Sequence, residues 1–117
     1  MSDAFPAVGH KYLVHFATDD GSAQFHVQLD FHSETSLTYT GARADGTLVG
    51  QPATVDITVE PIRDMLFLVT WKEQRGTTVV HLEDYRNNTI ITNITTPTSN
   101  PANPTFSKFQ GTMTLIP

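Results

Sequence analysis

The chain has 117 residues, enough for one domain with a buried core and too few for two. Apolar residues make up 38%, with seven Phe, three Tyr and one Trp, which favours a folded chain over a disordered one. A net charge of −5 is a poor match to nucleic acid or an anionic membrane, and the absence of cysteine excludes disulfides, thiolate catalysis and Cys-based zinc sites.

The opening MSDAFPAVGHKY has neither a basic n-region nor an apolar h-region, so residues 1–9 read as a flexible lead on a single domain spanning 1–117, and a cytoplasmic location is expected. Period-2 alternation then begins, the mark of antiparallel strands. Tyr12, Val14 and Phe16 share one face of a first strand that ends at Asp19-Asp20-Gly21-Ser22. Phe25, Val27, Leu29 and Phe31 alternate with His26, Gln28, Asp30 and His32 in a second. Leu37 and Tyr39 mark a third, and Val55, Ile57 and Val59 a fourth that runs up to Pro61. Met65 to Glu73 form the fifth strand, Thr77 to Tyr85 the sixth, and Thr89 to Ile94 the seventh. TTPTSNPANPT, residues 95–105, reads as a long mobile loop near a barrel mouth, before a last strand from Gln110 to Ile116. No apolar run reaches the roughly 20 residues of a membrane span. The sequons at Asn87 and Asn93, without a secretory signal, read as chance.

About eight short strands with tight connections predict an all-β fold, a small antiparallel up-and-down barrel that leaves no open edge. A β-sandwich is the alternative, but its crossovers need longer connections. An eight-stranded barrel has an interior that side chains fill or that holds one small ligand. On the fifth strand the wider set, Met65, Phe67, Val69, Trp71 and Glu73, belongs inside. The sixth strand has two registers. A two-residue Arg75-Gly76 turn points Thr78, Val80, Leu82 and Asp84 inward. A three-residue Gln74-Arg75-Gly76 turn with a glycine bulge points Thr77, Val79, His81, Glu83 and Tyr85 inward, and is favoured because Arg75 suits a type I′ turn poorly. In that register Glu73, His81 and Glu83 converge with Trp71, Tyr12 and Tyr39. Leu66, Leu68, Val80 and Leu82 then form an apolar outer patch, the expected interface of a homodimer.

VTWKEQRGTTVVHLEDYRNNTIITNITTP, with LDFHSETSLTYT before it and FQGTMTLIP after, resembles the MoaF-like family from Gly9 onward. That resemblance implies a lipocalin-like (calycin) barrel; the family's molybdenum-cofactor name implies no such cofactor here. VTWKEQRGTTV is also similar to the Trp-Thr-Glu-Pro-Thr-Gly-Thr segment of the phenolic acid decarboxylases, whose catalytic glutamate falls on Glu73. That family pairs the glutamate with two tyrosines on the first strand and an arginine ahead of the glutamate strand. Here the first strand carries Tyr12 alone, and residues 47–51 contain no arginine.

Two functions stay open. One is a cofactor-free lyase, isomerase or cyclase acting on a small aromatic or apolar substrate. Glu73, ending an apolar row, and His81 move protons there. Trp71 packs the substrate ring, Tyr12, Tyr39 and Glu83 orient polar groups, and Phe25 and Phe67 complete an apolar wall, unless the aromatics simply fill the barrel. The other is a non-catalytic carrier for a small apolar ligand. Ionisable groups on the inner wall favour the enzyme, since a carrier has little use for them; the missing decarboxylase partners favour the carrier. No metal is expected: His26 and His32 stand roughly 20 Å apart along one strand, and the other histidines lack a zinc spacing.

Overall fold

A computed structural model describes residues 4–117. Nine strands follow one another: β1 (Lys11–Ala17), β2 (Gln24–Phe31), β3 (Ser36–Ala42), β4 (Ala53–Asp56), β5 (Thr58–Arg63), β6 (Leu66–Lys72), β7 (Thr78–Asp84), β8 (Thr89–Thr96) and β9 (Thr105–Ile116). They form one antiparallel sheet in the order β4-β3-β2-β1-β9-β8-β7-β6-β5. The sheet curls until β4 lies against β6, a nearly closed barrel whose seam has no hydrogen-bonded ladder. Among the described residues no helix is long and apolar enough to cross a membrane.

The ninth strand comes from the segment expected to run unbroken to Pro61. It divides at Ile57, which is buried and gives its backbone N–H to the Thr35 carbonyl at 2.9 Å. This kink lets the two halves serve opposite ends of the sheet. The long loop also differs from expectation. Thr95 pairs with Phe106 and Thr96 with Thr105, so β9 starts at Thr105 and the irregular stretch shrinks to residues 97–104. Strand-forming Thr and Phe next to the prolines extend the hairpin on both sides.

The β6–β7 turn settles the register. Trp71 pairs with Val79, the Thr77 carbonyl accepts from the Glu73 N–H at 2.7 Å, and Gly76 sits at φ +92°. That is the three-residue turn with its glycine in the left-handed region, where a side chain is strained. Phe67, Val69 and Trp71 are therefore buried together with Val79, His81, Glu83 and Tyr85.

At the base of the barrel, Phe5 sets its ring edge-on against Phe31, Phe67 and Tyr85 at 5.1, 5.2 and 5.5 Å. Such edge-to-face contacts match the positive rim of one ring to the negative face of the next. Phe5 is 4% exposed and Ala7 fully buried, so from Phe5 on the lead is a plug rather than the loose segment the sequence predicts. Residues 1–3 of that expectation lie outside the described residues.

Candidate functional site

Where the base is closed, the other end is open. Phe16, Phe25, Val27, Leu29 and Ile94 wall a cavity of about 120 Å³ together with Tyr39, Trp71, Glu73, Val79, His81 and Thr92. The period of two in six strands supplies these side chains, one inward row per strand. Burial falls along β2 from Phe31, fully buried, to Phe25, 36% exposed, which marks Phe25 as part of the rim. A further recess of about 490 Å³ runs along the seam between β4 and the β6–β7 turn and shares Tyr39 and Glu73 with the cavity. Glu73 thus stands at the mouth, half-buried.

Its surroundings follow from the strand pattern. Trp71, two residues earlier on the same face, donates its Nε1–H to Glu73 Oε2 at 3.2 Å. Tyr39 stacks its ring on Trp71 at 6.0 Å. Burial, then the charge of Glu73 and hydrogen bonding to it, push the Tyr39 hydroxyl up to about 12. The carboxylate at the mouth therefore faces two neutral donors.

Deeper, His81 lines the cavity edge-on to Trp71, with ring centroids 4.7 Å apart. Its Nδ1 lies 2.8 Å from Glu83 Oε2, and Tyr85 donates its hydroxyl to Glu83 Oε1 at 2.6 Å. A carboxylate that accepts from both holds the proton of a neutral His81 on Nδ1 and leaves Nε2 as the basic nitrogen. Nε2 makes no hydrogen bond among the described residues. Burial, then the Glu83 charge, raises both the Tyr85 and the Tyr12 hydroxyl, so both stay protonated donors across the physiological range.

The expected convergence of all the polar groups on one region is corrected here. Trp71, Tyr39, Glu73, His81 and Phe25 do line one cavity. Tyr12, Glu83 and Phe67 lie in the layer below: Tyr12 packs on Tyr85 at 5.5 Å and Phe67 on Phe5. Strands in a barrel tilt, so a row of paired residues climbs the axis from strand to strand, and residues on one inward row end at different heights. His81 bridges the layers, its ring above and its Nδ1 bonded below.

Sequence reasoning missed Thr92. It lies directly opposite His81 on β8, is fully buried, and its Oγ1 has no hydrogen-bond partner. The alternation Ile90, Thr92, Ile94 carried the signal, a polar residue in the middle of an inward row. Also missed was a cross-strand pair on the outer wall, His15 and His26, with rings 4.4 Å apart. Among the described residues no three His, Cys, Asp or Glu side chains gather as a metal set. A recess of about 340 Å³ at the base end surrounds the Arg86–Asp64 ion pair, and its lining comes from turns and outward-facing positions.

Fold and cavity together define a small antiparallel barrel whose inward rows wall a cavity at the end away from Phe5. The chain belongs to the MoaF-like family, whose model matches residues 8–114. Among solved structures it is similar to a "putative beta-lactamase" from Burkholderia vietnamiensis, with a TM-score of 0.73 and 19% identity over 95% of this chain and 96% of that one. At that identity the likeness is one of fold. No curated protein matches the chain.

Proposed function

We propose that this protein is a cofactor-free acid–base enzyme, of the lyase or isomerase type, acting on one small, largely apolar molecule held in the cavity. The observation that carries this reading is the His81–Glu83 pair. A fully buried carboxylate orients an imidazole at 2.8 Å, and that imidazole belongs to a residue of the cavity wall. Folding alone gives little reason to keep it. Two hydrogen bonds to a charged group contribute about 1.5–3 kcal/mol each. Removing a carboxylate from water costs several kcal/mol, so well-packed apolar residues would serve stability equally well.

In this reading the ring of the bound molecule rests against Trp71 and Phe16. His81 Nε2 takes a proton from it, and the imidazolium that forms is stabilised by Glu83. Glu73, at the mouth, accepts that proton from the imidazolium through solvent and then releases it to bulk water or to a second position on the substrate. The description of the Burkholderia vietnamiensis protein does not transfer well. This chain has no Ser-x-x-Lys, the nucleophile motif of the serine lactamases, and the described residues hold no metal set.

The test is solvent exchange. A panel of single-ring and enolisable compounds is incubated with the protein in deuterated water and followed by NMR for deuterium uptake or new product. Catalysed exchange or conversion is expected, reduced about a hundredfold or more in Glu73→Gln and in His81→Asn. If compounds bind saturably beside Trp71 and none exchanges or reacts, the protein is a carrier.

A further inference from the structure

Building on the reading of the cavity as a ligand site, we propose that Thr92 and His81 form a polar anchor within it, and that its ligand is an uncharged single-ring compound bearing a hydroxyl or similar hydrogen-bonding group. Thr92 Oγ1 is the one sealed side-chain polar atom without a partner among the described residues. Native interiors rarely leave a hydroxyl in that state without a use. Its position gives the use. Thr92 and His81 are register partners on β8 and β7, both inward and both lining the cavity. Side chains so placed stand about 5 Å apart at Cβ, close enough to share one ligand atom. Thr92 lines the cavity, and a turn of about 120° about χ1 redirects its hydroxyl without moving the backbone.

The chemistry of the pair is complementary. A threonine hydroxyl donates and accepts, and the free nitrogen of a neutral His81 accepts. A ligand hydroxyl fits both, donating to His81 Nε2 and accepting from Thr92. Size limits the remainder of the molecule. An apolar cavity of roughly 150 Å³ accepts benzene, and this one measures about 120 Å³ with an open mouth. One ring with a short substituent fills it, against Trp71, Phe16 and Val79.

Charge excludes the acids. No Lys or Arg lines the cavity, and the carboxylate at its mouth is Glu73. A carboxylate on the ligand would enter past a like charge and lose its water with no Lys or Arg inside the cavity to replace it, since Arg75 lines the neighbouring seam recess instead. The ligand is therefore neutral, which sets it apart from the anionic substrates of a phenolic acid decarboxylase.

The test uses the intact chain and three probes: phenol, toluene and benzoate. Trp71 is the sole tryptophan, so its indole N–H gives one reporter resonance in a ¹H–¹⁵N spectrum. Phenol is expected to shift it saturably and to bind about tenfold tighter than toluene, with benzoate without effect. Thr92→Val, close in shape but lacking the hydroxyl, is expected to weaken phenol about tenfold and leave toluene within twofold. Thr92→Ser, which restores the hydroxyl, is expected to recover phenol affinity and guards against a packing effect of valine. Phenol affinity unchanged in Thr92→Val overturns the anchor, and benzoate competing with phenol overturns the neutral class; in either case the cavity remains a ligand site. If neither phenol nor toluene reaches the Trp71 resonance, the ligand-site reading itself fails, and the anchor with it.

Discussion

Glu73 ends a row of apolar side chains, and its carboxylate acts on two aromatic residues at once. It accepts from Trp71 Nε1 and holds the Tyr39 hydroxyl in its neutral form, after burial the main reason that this hydroxyl releases its proton only near 12. The direction of the linked stability follows. The unfolded chain loses the tyrosine proton at about 10 while the folded chain keeps it, so the contribution is complete below pH 10 and disappears as pH rises toward 12. Glu73→Gln removes the charge and leaves the burial. Tyrosinate absorbance is therefore expected to show Tyr39 ionising earlier in the variant, below 12 and still above 10, with less stability lost over that alkaline range than in the parent. An unchanged tyrosinate curve would mean that the two side chains do not interact. The position of Glu73 beside Trp71 was legible in the sequence because both depend only on local alternation. The separation of Tyr12 from Tyr39 was not, because it depends on strand tilt, a property of the closed barrel that no single strand encodes.

Strand pairing brings one glycine into a place where nothing larger fits. Gly111 on β9 pairs with Phe16 on β1, and a Cβ built on it would stand 1.6 Å from the His15 carbonyl oxygen. The obstacle is backbone, so a rotamer change cannot clear it. Gly111→Ala is expected to force β1 and β9 apart and so open the ladder joining the two halves of the sheet; thermal melting should show loss of most of the cooperative transition. A variant that melts like the parent would contradict this pairing. Individual strands were easy to read where alternation was clean, as in β2 and β6. Two boundaries were not. The break at Ile57 interrupts a run of perfect alternation, because it is imposed by the Thr35 carbonyl from a distant turn. The early start of β9 was hidden by three prolines that dominate the local composition, although Thr105 and Phe106 find partners across the hairpin. The turn at Gly76, by contrast, carried its own signal. Arg-Gly fits a bulged three-residue turn, and that one choice fixed which face of β7 turns inward.

In the molecule taken whole, an inward face with a cavity is backed by an outer face with an apolar stripe. Leu68 and Leu82 are register partners on the outside of β6 and β7, with Leu66 and Val80 beside them and Ile91 next on β8. Val80 and Ile91 are 36% and 37% exposed. We propose that two copies of the chain cover this stripe as a homodimer. Leu68→Glu combined with Val80→Lys is expected to leave a folded monomer in sedimentation experiments. A parent protein that is already monomeric at high concentration would contradict the dimer without touching the cavity. The packing of Phe5 against Phe31, Phe67 and Tyr85 at the base was beyond the sequence, since Phe5 precedes the first strand and lacks any periodic context. The central claim is that Glu73 and His81 both stand beside Trp71 in a cavity that solvent protons reach. The most direct measurement is the Trp71 indole N–H resonance in a ¹H–¹⁵N spectrum of the parent, Glu73→Gln and His81→Asn. The resonance is expected to move in both variants, because Glu73 accepts its hydrogen bond and the His81 ring stands 4.7 Å from the indole. A resonance that keeps its place in both variants would contradict the account.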